Sequence, residues 1–200
     1  FSTLTAAVNA LNAAGVSGAV TFNLTDNNYS SNETFPVTFG VIAGASSTNT
    51  LTIKPAAGVT PTITGSASAL LQFNGTDFVT LNGSNSNTNT VDLTLSNSST
   101  GTSAAIALGS LGTAAGATNF TIRNCMIFGG SSTATGVMGI SVAGTTLSTS
   151  GTGADNDNVT ISNNYINRAY YGIYARGVST ALNDNLVISG NVMGDANPVN

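Results

Sequence analysis

Apolar and polar positions alternate with a period of two in a phrase that recurs along this chain. Each copy is an apolar–polar–apolar triplet, followed by a small or Asn-containing corner and another apolar residue. The clearest copies are residues 120–127, 159–166 and 186–193. Alternation of this kind predicts β-strands, and strand phrases repeated with Asn or Gly corners are typical of stacked coils. Because one coil cannot bury its own apolar face, we expect the copies to lie on top of one another.

A second repeated phrase gives the period of the repeat. Two apolar residues flank an outward one at 71–73, 106–108, 140–142 and 173–175, so that successive starts are 35, 34 and 33 residues apart. A fixed spacing of about 20–50 residues is typical of a solenoid. Looser copies of the first phrase, and one further strand, lie at 51–53, 79–81 and 93–95. Their variable spacing predicts insertions in the loops between strands.

The amino-terminal segment has a helical period instead. Leu4, Ala7, Val8 and Leu11 follow i, i+3, i+4, i+7 spacing, which predicts a helix over residues 2–14. Either Ser2 or Thr3 is a suitable N-cap, and Gly15 would end the helix. We interpret residues 1–18 as a cap over the first coil. Residues 19–200 are then predicted to be the coils of a single domain that we expect to continue beyond the carboxyl terminus. Further strands are predicted at 19–24, 37–41 and 62–64.

The composition of the chain argues against several classes of function. Only 6% of the 200 residues are charged and the formal net charge is −4, with four basic residues in all. Nucleic acid is therefore an unsuitable partner, since phosphate binding needs clustered Lys and Arg. No apolar run approaches the ~18 residues of a membrane span, so no membrane insertion is predicted. The single cysteine, Cys125, excludes an internal disulfide, and without any His to activate it we expect a buried, inert thiol.

The order of these pieces resembles a known family. The relevant segments are residues 4–18 (LTAAVNALNAAGVSG), 20–22 (VTF), 51–58 (LTIKPAAG), 77–83 (DFVTLNG) and 156–164 (NDNVTISNN). Together they resemble the right-handed parallel β-helix repeat of the pectin-lyase-like superfamily. More narrowly, they are similar to β-helical segments of large secreted Bacteroidota surface proteins of the type IX secretion kind. The resemblance implies an all-β, right-handed parallel β-helix with a short capping helix, on a secreted, extracellular or cell-surface protein.

Enzymes of that superfamily act on acidic polysaccharides with aspartate clusters and often Ca²⁺. Here Asp157 and Asp184 each lie two residues before a strand triplet, with Asp155 nearby. Stacked strands about 4.8 Å apart would bring such carboxylates within reach of one cation. The favoured interpretation is nevertheless an Asx turn, in which the side chain bonds the backbone ahead of the strand. No other cofactor is predicted.

Aromatic and basic residues concentrate between positions 165 and 176. Four of the five tyrosines and two of the four basic residues lie there. The set comprises Tyr165, Arg168, Tyr170, Tyr171, Tyr174 and Arg176. Outward aromatic rings beside Arg can stack on sugars or dock on a protein. The favoured alternative is that these tyrosines cover a loop, with the arginine stems lying over apolar surface.

Polar columns are also predicted along the stack. Outward threonines of successive coils should form one row, and Asn164 and Asn191 should form an amide ladder. The threonines are Thr52, Thr80, Thr121 and Thr160. Sheet stabilisation is favoured over ice binding, because only one column is evident and Val187 interrupts it.

Three functions remain open at this point. The favoured one is a non-enzymatic structural or adhesive module, whose partners would be glycans or other surface proteins. The second is a carbohydrate-binding module that uses the Tyr/Arg set. The third is a polysaccharide lyase or glycoside hydrolase that uses Asp157 and Asp184 with Arg168 or Arg176. Open coil ends would also allow end-to-end self-association.

Overall fold

The computed structural model describes residues 1–86 and 88–194. Within them, one helix is followed by seventeen strands. The elements are α1 (Leu4–Ala14), β1 (Val20–Leu24), β2 (Asn28–Tyr29), β3 (Val37–Phe39), β4 (Leu51–Pro55), β5 (Thr62–Gly65), β6 (Ala69–Asn74), β7 (Val79–Asn82), β8 (Leu93–Asn97), β9 (Ser103–Ser110), β10 (Phe120–Arg123), β11 (Cys125–Ser131), β12 (Val137–Gly144), β13 (Val159–Ser162), β14 (Tyr165–Ala169), β15 (Tyr171–Ala175), β16 (Val187–Ser189) and β17 (Val192–Met193).

Successive strands enter three parallel sheets in turn. Sheet A has the order β1-β4-β7-β10-β13-β16, sheet B β17-β14-β11-β8-β5-β2, and sheet C β15-β12-β9-β6-β3. Every strand-to-strand pairing within these sheets is parallel. We call three consecutive strands, one from each sheet, a coil. Coil 1 is thus β1–β3, coil 5 is β13–β15, and coil 6 comprises β16 and β17. The predicted all-β architecture with one short helix is confirmed at this level.

Both sequence phrases stack in register. Phe120 pairs with Val159, and Ile122 pairs with Ile161. In sheet C, Leu71, Ile106, Ile140 and Ile173 pair in succession. These side chains point inward, and one apolar core runs from Leu4 in the helix to Ile166 in coil 5. The alternation of period two therefore predicted the core positions correctly.

Helix α1 covers one side of the first coil. The Thr3 hydroxyl accepts the Ala6 N–H at 3.0 Å, and Gly15 ends the helix with φ +68°. Leu4, Val8 and Leu11 are buried, as the spacing predicted. The helix has eleven residues, and no helix in the described part of the chain is long and apolar enough to cross a membrane.

The Glu33 carboxylate provides a second cap that the sequence did not indicate. It accepts the backbone N–H groups of Leu4 and Thr5 at 2.7 Å. At the other end of the helix, Asn12 bonds the Thr38 carbonyl at 2.9 Å and the Gly40 N–H at 3.0 Å. Because Thr38 lies in β3 and Gly40 directly follows it, the carboxyl-terminal half of α1 lies alongside β3.

The corner between sheets A and B needs a left-handed backbone. Asn124, Asn163 and Gly190 occupy equivalent places on coils 4, 5 and 6, with φ of 58°, 55° and 63°. Asn and Gly are the residues that adopt this conformation at least cost. The recurring Asn or Gly of the first phrase is therefore a backbone requirement.

The residue after this corner points inward and forms a hydrogen-bonded ladder. Asn164 is fully buried; it accepts the Cys125 N–H at 3.0 Å and donates to the Ile122 carbonyl at 3.0 Å. Its amide also donates to Asn191 Oδ1 at 2.9 Å. The predicted ladder is confirmed, and it satisfies backbone groups that sheet pairing leaves free at the bend.

Cys125 occupies the ladder position one coil earlier. Its thiol is buried, and burial raises the pKa of Cys125 to about 12, while a hydrogen bond with the backbone of Gly83 opposes that rise. A thiol that stays protonated is a poor nucleophile, which agrees with the expected inert filler.

The threonine column is longer than predicted. Thr21, Thr52, Thr80, Thr121 and Thr160 pair in succession along sheet A. Val187 follows Thr160 on coil 6, as expected. The column covers the outer face of five stacked strands, where cross-strand Thr pairs stabilise the sheet.

Candidate functional site

The aspartates ahead of sheet A bond the backbone of a neighbouring coil. Asp157 Oδ1 accepts the Asp184 N–H at 2.7 Å. The same contact recurs at Asp77, whose Oδ1 accepts both the N–H and the hydroxyl of Thr118 at 2.8 Å. These bonds join residues 27 and 41 positions apart, so they connect adjacent coils, whereas the predicted Asx turn would bond the backbone within the same corner.

Asp155 makes a bond of the same type elsewhere. Its Oδ2 accepts the Ala114 N–H at 2.6 Å, which ties the loop before β13 to the loop before β10. Within residues 1–86 and 88–194, no three His, Cys, Asp or Glu side chains lie close enough together to hold a metal ion. A Ca²⁺ site at Asp155, Asp157 and Asp184 stays a prediction.

The corner between sheets B and C divides the Tyr/Arg set. Tyr165 lies in β14 on the outer face of sheet B, where it pairs with Met126 and Val192. Tyr171 and Tyr174 lie in β15 of sheet C. Arg168, at the end of β14, has φ +52° and is exposed. Residues that are clustered in the sequence therefore lie on two different sheets.

Tyr171 and Tyr174 hold a loop against sheet C. With their rings 5.8 Å apart, they pack beside Leu147 on a small apolar cluster that lies outside the main core. The Tyr174 hydroxyl donates to the Gly151 carbonyl at 2.9 Å, and Arg176 Nη1 donates to the Ser150 carbonyl at 3.3 Å. The cluster consists of Ala69, Ala104, Ala107 and Met138. These contacts agree with the favoured prediction that the tyrosines cover a loop.

Tyr170 is the accessible ring of this group. It is 47% exposed, and its ring meets Tyr171 at 4.9 Å and 73°. Arg168, two residues earlier, is exposed as well. A half-exposed ring that packs edge-on against a second ring is suited to stacking on a sugar.

A shallow groove lies beside the loop that the tyrosines hold. Its volume is about 590 Å³, and residues 110–113 and 144–154 supply most of its wall. Thr113, Thr146, Ser148 and Thr152 contribute hydroxyls, while Leu111 and Val178 contribute apolar surface. Among the described residues that line this groove none is charged, so it suits an uncharged, hydroxyl-rich ligand. No sequence pattern marks this groove, because both of its walls are irregular loops between strand phrases.

A second groove, of about 370 Å³, lies at the amino-terminal end between α1 and the edge of β1. Its apolar lining includes Phe1, Leu4, Val20 and Phe22. The sequence indicated a cap here but gave no sign that β1 would stay partly uncovered.

The chain matches no protein-family model, no curated protein and no solved structure in the comparisons made. The site is therefore interpreted from its own residues.

Proposed function

We propose that this chain is a structural or adhesive module of a secreted protein that acts outside the cell or on its surface. We further propose that its coils form a right-handed parallel β-helix of the pectin-lyase-like kind. Three parallel sheets entered in turn support that architecture, and right-handed crossovers are the rule between parallel strands. Few charges and a polar surface of Ser, Thr and Asn suit an extended, rigid spacer that displays other groups.

The main support for this proposal is that the side chains suited to catalysis or ligand binding form hydrogen bonds with the protein's own backbone. The carboxylates of Asp155 and Asp157 bond backbone N–H groups of other coils. Tyr174 and Arg176 bond the backbone of the loop over sheet C. These residues therefore stabilise the stack and its loops, which is the use expected in a scaffold.

The test measures both polysaccharide cleavage and the stability of the protein. Wild-type protein and Asp157→Asn are incubated with acidic polysaccharides, with and without Ca²⁺, and both are unfolded in urea. Asn keeps an acceptor oxygen for the Asp184 N–H, so the fold should survive. We expect no cleavage by either protein and a stability change of about 1 kcal/mol or less. If the wild-type protein cleaves a polysaccharide and Asp157→Asn abolishes that cleavage, the protein is an enzyme and the scaffold proposal is wrong.

Carbohydrate binding is a second candidate, and the exposure of Tyr170 favours it. Because the ring is already held against Tyr171, the side chain would lose little conformational freedom on binding a sugar. The neutral groove beside the held loop would offer hydroxyls to a longer ligand. Adhesion to glycans would then be the means by which the module attaches.

Two variants separate ring stacking from loop support. Tyr170→Ala removes the exposed ring, while Tyr174→Phe keeps its ring and removes only the hydroxyl bonded to Gly151. On a glycan array, binding through Tyr170 predicts about a tenfold or greater loss for Tyr170→Ala and little change for Tyr174→Phe. In limited proteolysis, Tyr174→Phe should be cut faster within the loop of residues 145–152. If both variants retain glycan binding, this patch is not the glycan-binding site.

A further inference from the structure

Long loops follow the sheet C strands of three successive coils, and the 590 Å³ groove lies among them. The loop after β9 comprises residues 111–119, the loop after β12 residues 145–158, and the loop after β15 residues 176–186. The corresponding loop of coil 2 is short and comprises residues 75–78. The groove is therefore built by equivalent loops of adjacent coils, and we call it the loop groove.

The first wall of the loop groove is a turn that the next coil holds in place. Two backbone bonds, of 2.9 and 3.0 Å, close this turn within residues 111–115. The Asp155 carboxylate accepts the Ala114 N–H at 2.6 Å, and the buried Asn156 Oδ1 accepts the Ala117 N–H at 2.9 Å. Because Asp155 and Asn156 belong to the loop after β12, these bonds also tie the two walls to each other.

The second wall is the loop of residues 145–152, which side chains of two other coils hold at three points. From β6, Gln72 Nε2 donates to the carbonyl of the first loop residue at 2.9 Å. From the other side, the Tyr174 hydroxyl and Arg176 Nη1 donate to carbonyls near the end of the loop, at 2.9 and 3.3 Å. Since both walls are fixed to the stack, a ligand would enter a groove that is already shaped.

Three lining hydroxyls are available to a ligand. The side chains of Thr113, Thr146 and Thr152 are exposed, and their hydroxyls bond no other described residue. Each such hydroxyl can donate one hydrogen bond and accept two. Both walls contribute, because Thr113 belongs to the first wall and the other two threonines belong to the loop after β12.

Leu111 adds an apolar contact beside these hydroxyls. It is 55% exposed, and its Cδ1 lies 2.7 Å from the place that a Cβ at Gly75 would take, so one side of the side chain rests on the backbone of coil 2. A sugar ring has C–H groups on its faces and hydroxyls around its rim. An exposed apolar side chain among free hydroxyls is suited to both parts of such a ring.

The charges around the loop groove favour an uncharged sugar. Asp155 and Arg176, which hold its walls, have opposite charges, and neither belongs to the described residues of the lining. An anionic glycan would leave water for a groove whose described lining offers no cationic partner. Because an unpaired charge is costly to desolvate, a neutral ligand is preferred.

We propose that the loop groove binds a neutral oligosaccharide through the hydroxyls of Thr113, Thr146 and Thr152 and the exposed side of Leu111. This inference rests on the second candidate function, carbohydrate binding, and it locates the sugar in a groove that Tyr170 does not line. The side chains that hold the two walls are then positioning residues, which act on the ligand through the loops.

The test removes hydroxyls while keeping side-chain size. Thr113→Val and Thr152→Val each lose one lining hydroxyl. Thr100→Val is the matched control, because Thr100 is also exposed, bonds no other described residue through its hydroxyl and lies outside the groove. These variants, Tyr170→Ala and wild type are checked by circular dichroism for an unchanged fold. Each is then titrated calorimetrically, up to millimolar concentrations, with cellohexaose, mannohexaose and xylohexaose, and with hexagalacturonate as the charged comparison.

At least one neutral oligosaccharide should bind the wild-type protein, and more tightly than hexagalacturonate does. Thr113→Val and Thr152→Val should each weaken that binding by about two- to tenfold, as expected for the loss of one neutral hydrogen bond. Thr100→Val and Tyr170→Ala should each change it by less than about twofold.

Tyr174→Phe tests positioning, because it loses the bond to Gly151 without changing a lining side chain. It should bind the same oligosaccharide more weakly than wild type does. A ligand that needs the ordered wall stabilises that wall, so a saturating concentration should slow proteolysis within residues 145–152 to near the wild-type rate. If the sugar leaves this rate unchanged, Tyr174 supports the loop without positioning it for a ligand.

The possible failures of this inference and of carbohydrate binding differ. If the wild-type protein binds a sugar and both groove variants bind it equally well, the loop groove is not the site, although carbohydrate binding stands. A loss confined to Tyr170→Ala would locate the sugar on that ring instead. Tighter binding of hexagalacturonate would contradict the neutral ligand class. If the wild-type protein binds none of these oligosaccharides, both this inference and the carbohydrate-binding candidate are wrong, and the scaffold proposal is unaffected.

Discussion

Replacing Asn164 tests whether the buried amide ladder stabilises the fold. This side chain is fully buried between coils 4 and 6 and makes three bonds of 2.9–3.0 Å. In Asn164→Ala, the Cys125 N–H loses its side-chain acceptor, and the Ile122 carbonyl loses the Asn164 amide as a donor. Each buried polar group left without a partner costs about 1–3 kcal/mol. We therefore expect the free energy of unfolding to fall by about 3 kcal/mol, a large part of the 5–15 kcal/mol typical of a domain.

An isosteric variant separates hydrogen bonding from volume. Asn164→Asp keeps the oxygen that accepts the Cys125 N–H, but it turns a second oxygen toward the Ile122 carbonyl and Asn191 Oδ1. Burial and these two acceptors disfavour the carboxylate, so the folded-state pKa of the new Asp should exceed its unfolded value of about 3.9. The loss relative to wild type should then be smallest below about pH 4. Above it, the loss should grow by up to about 1.4 kcal/mol per pH unit until the folded-state pKa is reached.

The assay is equilibrium unfolding in urea, followed by far-UV circular dichroism at several pH values. Asn163→Gly is the control, because this neighbouring side chain is exposed and its backbone φ of +55° suits glycine. It should change stability by less than about 1 kcal/mol. If Asn164→Ala is as stable as this control, the ladder contributes no net stability and the reasoning fails.

Two further predictions concern Cys125 and Gly116. Since the pKa of Cys125 is about 12 when folded and 9.0 without burial, its stabilising effect is complete below about pH 9 and is lost as pH rises toward 12. The difference in unfolding free energy between wild type and Cys125→Ala should shrink over that range by up to about 1.4 kcal/mol per pH unit, and a constant difference would contradict the burial argument. A Cβ at Gly116 would overlap the Asp155 carbonyl, whereas one at Gly101 would have a single neighbour, at 3.9 Å. Gly116→Ala should therefore lower the melting temperature much more than Gly101→Ala, and equal effects would exclude that overlap.

The sequence was most informative where the same requirement recurs on every coil. Inward positions such as Ile122 and Ile161 follow from alternation alone, because a strand has only two faces. The left-handed corner at Asn163 and Gly190 was visible as a repeated residue type, since few residues adopt that conformation cheaply. The helix was equally clear, with its N-cap at Thr3 and its end at Gly15.

Contacts between distant segments were not predictable in this way. The Glu33 cap of α1 joins residues 28 and 29 positions apart, and no local pattern marks it. Strand β2 has only two residues, which is too short for alternation to be recognised. The small outward residues Ala107 and Ser141 had the pattern of a solvent face, yet both are buried because the loop containing Leu147 lies over sheet C.

The Tyr/Arg set shows why sequence proximity is a weak guide to a site in this architecture. In a stack of coils, residues one coil apart are neighbours, whereas residues a few positions apart can lie on different sheets. Tyr165 is thus separated from Tyr171 by the bend at Arg168, although Tyr171 and Tyr174 share one cluster. A candidate site should be sought along columns of equivalent positions, as for Asp157 and Asp184, rather than within one segment.

The small number of charged residues favours stacking of equivalent positions, and it also leaves some strands without charged side chains. Identical positions on adjacent coils lie about 4.8 Å apart, so a charged column would repel itself and a neutral one is needed. Sheet edges, however, are commonly guarded by Lys or other charged residues that prevent pairing with another chain. Strands β16 and β17 contain none, and β1 contains none either. The uncharged residues that the columns require therefore leave these three strands without a side chain that would repel a neighbouring strand.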